Sequence, residues 1–168
     1  MFTKIADTID AINNTIGRCV SWLTFFMAIV MFATVILRYV FNMGWIWMQE
    51  SVMFMHGFVF MLAAGYTLLA EEHVRIDIFY RPMKEKQKAI VNIIGTVFLL
   101  FPTCYLIFYF GYPYVSDSWS VFEDSKEAGG LPGVFLLKSA IIAFPVLVGM
   151  QGIAKLIRAV TTLINSQQ

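Results

Sequence analysis

Residues 20–37 read VSWLTFFMAIVMFATVIL, and no charge interrupts the run. At a helical rise of about 1.5 Å per residue, such a run approaches the roughly 30 Å of hydrocarbon in a bilayer. Three more runs share its character. Ser51 to Ala70 carries no charge apart from a titratable His56, Ala89 to Gly111 is apolar apart from Asn92, and Gly133 to Ile157 holds Lys138 and Lys155 near its ends. All are too continuous for barrel strands, which alternate with a period of two. The sequence therefore predicts a single all-α integral membrane domain over residues 1–168, with transmembrane helices at about 20–37, 51–70, 89–111 and 133–157. Composition agrees: charged residues make up 14% of the chain, against about 25% in soluble domains. A net charge of +1 supplies no basic field for nucleic acid. Cys19 and Cys104 show no CxxC spacing and are expected to be buried, inert thiols.

Outward from the first run lies an N-terminal segment of different character. Phe2, Ile5, Ile9, Ile12 and Ile16 recur at spacings of three and four, with Lys4, Asp7, Asp10 and Asn13 between them. This pattern predicts an amphipathic helix over residues 1–18, lying in the headgroup plane. The apolar run that follows exceeds the roughly 7–15 residues of a signal-peptide core and is not followed by an A-x-A-like cleavage site. The first helix is thus expected to persist as an anchor.

Lys4, Arg18, Arg75, Arg81, Lys84, Lys86, Lys88, Lys155 and Arg158 fall on one side of a four-helix path, leaving Arg38, Lys126 and Lys138 for the other. By the positive-inside rule both termini are expected in the cytoplasm. Arg81, Lys84, Lys86 and Lys88 are spaced to suit a short basic segment on an anionic leaflet. Of the two opposite loops, the first, Arg38 to Glu50, carries the interfacial aromatics Trp45 and Trp47. The second, Tyr112 to Pro132, has one lysine against Asp117, Glu123, Asp124 and Glu127, a net −3, and ends in the breaker cluster Gly129-Gly130-Leu131-Pro132-Gly133. Such a loop is either simply solvated or a docking surface, with Asp117, Trp119, Glu123 and Asp124 as the candidate contacts.

Ionisable groups inside a membrane are costly and mark transport paths. No acid lies near the middle of any predicted span, and Asn92, Thr96 and Gln151 are the uncharged polar residues that interhelical hydrogen bonds account for. His56 is expected to be a packed, neutral histidine. The other histidine, His73, lies 17 residues on, roughly 25 Å along a helix, so the two cannot ligate one haem. Arg38 and Glu50 flank the first loop at the ends of neighbouring antiparallel helices and are expected to pair across it.

Arg38-Tyr39-x-Phe41-Asn42, then Trp47-x-x-Glu50, then His73-Val74-Arg75-Ile76-Asp77, with the Gly129-Gly130-Leu131-Pro132 turn before the last helix, resemble the small membrane subunit (DctQ type) of tripartite ATP-independent periplasmic, or TRAP, transporters. The resemblance covers nearly the whole chain. It departs at Gln49, where the family often carries a second acid, and at Glu71 and Glu72, where many relatives have basic or small residues.

The resemblance implies a bacterial inner-membrane protein that is not an enzyme and binds no cofactor or metal. It implies a scaffold beside a large elevator-type membrane subunit, in sodium-coupled uptake of an organic acid delivered by a periplasmic binding protein. It also implies structural or partner contacts for Arg38, Trp47, Glu50, His73, Arg75 and Asp77. Two other classes stay open on the residues alone: a membrane anchor of a redox complex, for which histidines are too few, and a small multidrug exporter, which needs an intramembrane carboxylate.

Overall fold

The computed structural model describes residues 2–71, 80 and 82–165. All regular structure among them is helical, and four helical spans are long and apolar enough to cross a membrane. Helix α1 runs from Phe2 to Val40, α2 from Ile46 to Leu62 and α3 from Ala64 to Leu69, where α2 and α3 make one span with a slight break at Ala63. The third span is α4 (Glu85–Gly95), a π-helical turn (Thr96–Leu100) and α5 (Phe101–Ser120); the fourth is α6 (Val134–Asn165).

The helices outrun the uncharged stretches that announce them. The expected interfacial helix over 1–18 and the first span are one unbroken helix of 39 residues, about 58 Å long. The isoleucine stripe is divided between two surroundings. Ala6, Ile9 and Asn13 are buried, while Ile5 and Ile12 are exposed. Ala6 and Ile9 meet Ala154 of α6, with Met150 and Ile157 closing over them. Ala6 and Ala154 let the two helix backbones approach closely, and Ile9 packs beside them.

A second difference concerns the loop expected over Tyr112 to Pro132. Its first half is helix, since α5 continues to Ser120 and carries Pro113 within it. The turn at Thr96–Leu100 has a local cause. Pro102 has no N–H to offer the carbonyl of Phe98, and the chain widens there to an i→i+5 bond, Phe101 N–H to the carbonyl of Thr96.

Helix α6 is the centre of the bundle. It packs against α1, α2, α3, α4 and α5, and its most apolar window is 39% buried, against 6% to 17% for the other spans. The first two spans lie together on one side of it, and the third packs chiefly on α6 alone. The third span thus turns most of its surface outward, with Phe98 71% and Phe110 70% exposed. Apolar area on that scale requires a bilayer or another protein to cover it.

Candidate functional site

Two polar clusters close the bundle, one at each end. At the end bearing the loops, α5 stops where Phe122 takes a left-handed φ of 46°. The reversed chain is held by the N–H of Phe122 on the carbonyl of Trp119 (3.3 Å) and that of Glu123 on the carbonyl of Ser118 (3.0 Å). Residues 123–131 then fold on themselves. The Ser125 N–H reaches the carbonyl of Leu131 at 3.3 Å, that of Gly130 the carbonyl of Glu127 at 3.0 Å, and that of Glu127 the hydroxyl of Ser125 at 3.1 Å.

Glu50, in the first turns of α2, reaches across to this cap. Its carboxylate accepts the hydroxyl of Ser125 through Oε1 and the N–H of Leu131 through Oε2 at 2.6 Å. Gly130 is required at that approach, because a Cβ there would lie 2.6 Å from Oε2 of Glu50. The two sequence features on which the resemblance leans, Trp47-x-x-Glu50 and the Gly-Gly-Leu-Pro turn, are therefore one structural unit. The expected Arg38–Glu50 pair is not formed. Glu50 is turned inward to the cap, and Arg38 is exposed and makes no ion pair among the described residues. A carboxylate that satisfies a backbone N–H and a hydroxyl in a half-buried turn gains more than one bridging a solvated hairpin.

The four candidate docking residues fall into two groups. Trp119 donates its indole N–H to Ser139 at 2.8 Å and meets Phe135 edge to face at 4.7 Å between centroids. Glu123 forms an ion pair with Lys138, whose ammonium also sits 4.0 Å from the centre of the Tyr114 ring. The hydrogen bond from Lys138 holds the Glu123 carboxyl below the usual carboxylate range. Both residues are thus committed to holding the cap on α6. Asp117 and Asp124 are exposed and make no ion pair among the described residues. Trp47 is exposed at the start of α2.

At the end bearing the termini, Asn13 and Gln151 are the largest fully buried side chains, each 1% exposed. Asn13 donates to Gln151 at 2.8 Å, Gln151 donates to Asp10 at 2.7 Å, and Arg158 bridges Asp10 and, at 3.1 Å, Asp7. This ladder clamps the first half of α1 along α6. Gly65 makes room for it, since a Cβ there would lie 2.9 Å from Cγ of Asn13. Lys155 pairs with Glu71 at 3.5 Å. In the sequence Asp10 and Asn13 read as the polar side of a surface helix, which conceals the clamp. Two acids and an amide spaced three apart, opposite a buried glutamine, were the available signal.

Of the basic residues expected at this end, Lys84 and Lys86 are exposed, while Lys88 bonds Glu85 at 3.1 Å and lies over the Tyr80 ring. Arg81, His73, Arg75 and Asp77 lie outside the described residues. Two further expectations are corrected. His56 is exposed on the outer side of α2, stacked on Phe60 at 6.4 Å, and is not packed inside. Cys19 is exposed and Cys104 only half-buried, so burial does not explain the thiols.

A family model described as "Tripartite ATP-independent periplasmic transporters, DctQ component" matches residues 27–162. The chain belongs to this family. No curated protein and no solved structure matches it. The DctQ match takes in Glu50, the cap and all of α6 that the cap and clamp use, but begins after Asp7, Asp10 and Asn13. The clamp therefore joins a segment outside the matched region to one inside it. The outward Gln49 and inward Glu50 also show why one acid suffices for the cap: only the second faces it.

Proposed function

We propose that this chain is the small, non-catalytic permease subunit of a TRAP transporter. It acts as a scaffold for a large elevator-type membrane subunit in sodium-coupled uptake of an organic acid, which a periplasmic binding protein delivers. One observation carries the reading. Among the described residues the carboxylates stand at the two ends of the bundle, bound in the cap, in the clamp or in other ion pairs, or exposed, and none of these lies near the middle of a span. A protein that couples ions to substrate needs such groups at mid-membrane. The polar chemistry here holds helices in place instead, as a static frame requires.

The distribution of lysine and arginine supports an inner-membrane orientation with both termini cytoplasmic and the cap periplasmic. Asp117 and Asp124 then face the binding protein, and Lys84 and Lys86 the inner leaflet. The test is uptake into vesicles under a sodium gradient, with the large subunit and binding protein present and this chain added or omitted. Uptake should require all three components. Uptake by vesicles holding this chain alone, or full uptake without it, would overturn the proposal.

A further inference from the structure

The outward side of α2 is one stripe: Gln49, Met53, His56 and Phe60, at helical spacings of four, three and four, are all exposed. His56 is ten residues into a span of 24, about 15 Å from its start, so it stands near the middle of the membrane. Against this stripe, Met27, Ala28 and Met31 of α1 complete a shallow groove that continues past Gln49 to Arg38. The groove therefore presents an imidazole, a carboxamide and a guanidinium, with no acid lining it. Gln49 and Arg38 lie toward the rim, but hydrocarbon cannot satisfy the imidazole, and an exposed polar group at the depth of His56 costs several kcal/mol where no partner meets it. The contrasting face is the third span, where Phe98, Leu99, Leu106 and Phe110 are exposed and the exposed Tyr105 and Tyr109 stack on each other, with no titratable nitrogen or carboxamide among these six.

We infer that the groove between α1 and α2, with His56 at its midpoint and Arg38 at its rim, is where a transmembrane helix of the large subunit docks. That helix carries a side chain that hydrogen-bonds His56 and an acceptor, a carboxylate or a carbonyl, that meets Arg38. Charge complementarity selects this occupant, because a lipid's phosphate can answer Arg38 but its tails cannot answer an imidazole at mid-membrane. A second copy of this chain would set a second Arg38 at the same depth against the first, two like charges with no acid lining the groove between them. Ala28 leaves room for a backbone to come close, and the methionines adapt to its shape. The far side of the bundle, formed by α4 and α5, faces lipid.

This inference rests on the proposed function, and its test separates the two. A photo-crosslinking benzoylphenylalanine is placed at Met53 or Phe60, and as controls at Phe98 or Phe110, in the assembled complex in native membranes. Adducts to the large subunit are expected from positions 53 and 60 and not from 98 and 110. The reverse pattern, or lipid or self adducts alone at 53 and 60, overturns the inference while leaving the proposed function standing. If the unlabelled wild-type chain recovers no large membrane partner, the proposed function fails first. In parallel, His56→Phe should lower recovery of the large subunit about threefold to tenfold, the effect of one interhelical hydrogen bond, while His56→Gln keeps it within about twofold. Equal recovery for both variants would also overturn the assignment of His56.

Discussion

Glu50→Ala removes the acceptor for two donors at once, the hydroxyl of Ser125 and the N–H of Leu131. Hydrogen bonds to a charged group contribute about 1.5–3 kcal/mol each. Glu50 is only half-buried, so water recovers part of that loss, and the lower bound, about 3 kcal/mol for the pair, is the appropriate figure. A cap that opens locally that much more easily has its open fraction raised about 100-fold. Lys126 lies inside the cap and supplies a readout, because trypsin needs several residues of free chain around it. The assay is the rate of cleavage after Lys126 in purified protein in mild detergent, followed by mass spectrometry. Glu50→Ala should cleave about 100-fold faster than wild type. Glu50→Gln keeps an acceptor for Leu131 and a donor for Ser125 as neutral bonds, so it should cost about 1 kcal/mol and cleave about fivefold faster. A cleavage rate for Glu50→Ala close to wild type would refute the idea that Glu50 holds the cap.

Three other outcomes follow from the same geometry. Gly65→Ala should lower thermal stability by about 1–3 kcal/mol through the clash with Asn13, whereas Gly149→Ala, with nothing within 4 Å of the added Cβ, should be neutral or stabilising. Because Lys138 holds Glu123 below its ordinary value of 4.5, the pair contributes fully above that value and is lost as pH falls through the lower folded value. Pepsin cleavage of the cap should therefore accelerate as pH falls below that ordinary value, and Glu123→Gln should be fast already above it and lose most of that dependence. Asp117→Lys with Asp124→Lys should slow productive encounter with the binding protein, with an effect that shrinks as salt rises, read as transport rate against binding-protein concentration; unchanged curves would show these acids are merely solvated.

The four spans were legible because an uncharged run of bilayer length has few other uses in a protein, and the resemblance was legible because its motifs are short and ordered. What escaped is what depends on depth and facing. Nothing in Tyr112-Pro113-Tyr114 says that the helix continues, since a proline late in a helix costs one hydrogen bond that neighbouring packing offsets. Arg38 and Glu50 sit symmetrically about a loop, yet only Glu50 meets a backbone N–H, and that donor comes from residue 131, far along the chain. Asn13 and Gln151 are 138 residues apart, and the burial that gives each meaning exists only when α1 lies on α6. His56 reads as an interior histidine because titratable groups within membrane spans usually face the bundle interior; in this second span it is Met48 and Gly65 that turn inward.

The central claim is that this chain is one part of a larger membrane transporter and holds a second membrane subunit in place. The most direct test is purification of the tagged chain from its native host in mild detergent, with mass identification of whatever accompanies it. A far larger, very hydrophobic multi-helix subunit should accompany it in equal amount, retained through size-exclusion chromatography and free of haem absorbance. Recovery of the chain alone, or with a haem-bearing redox partner, would contradict it.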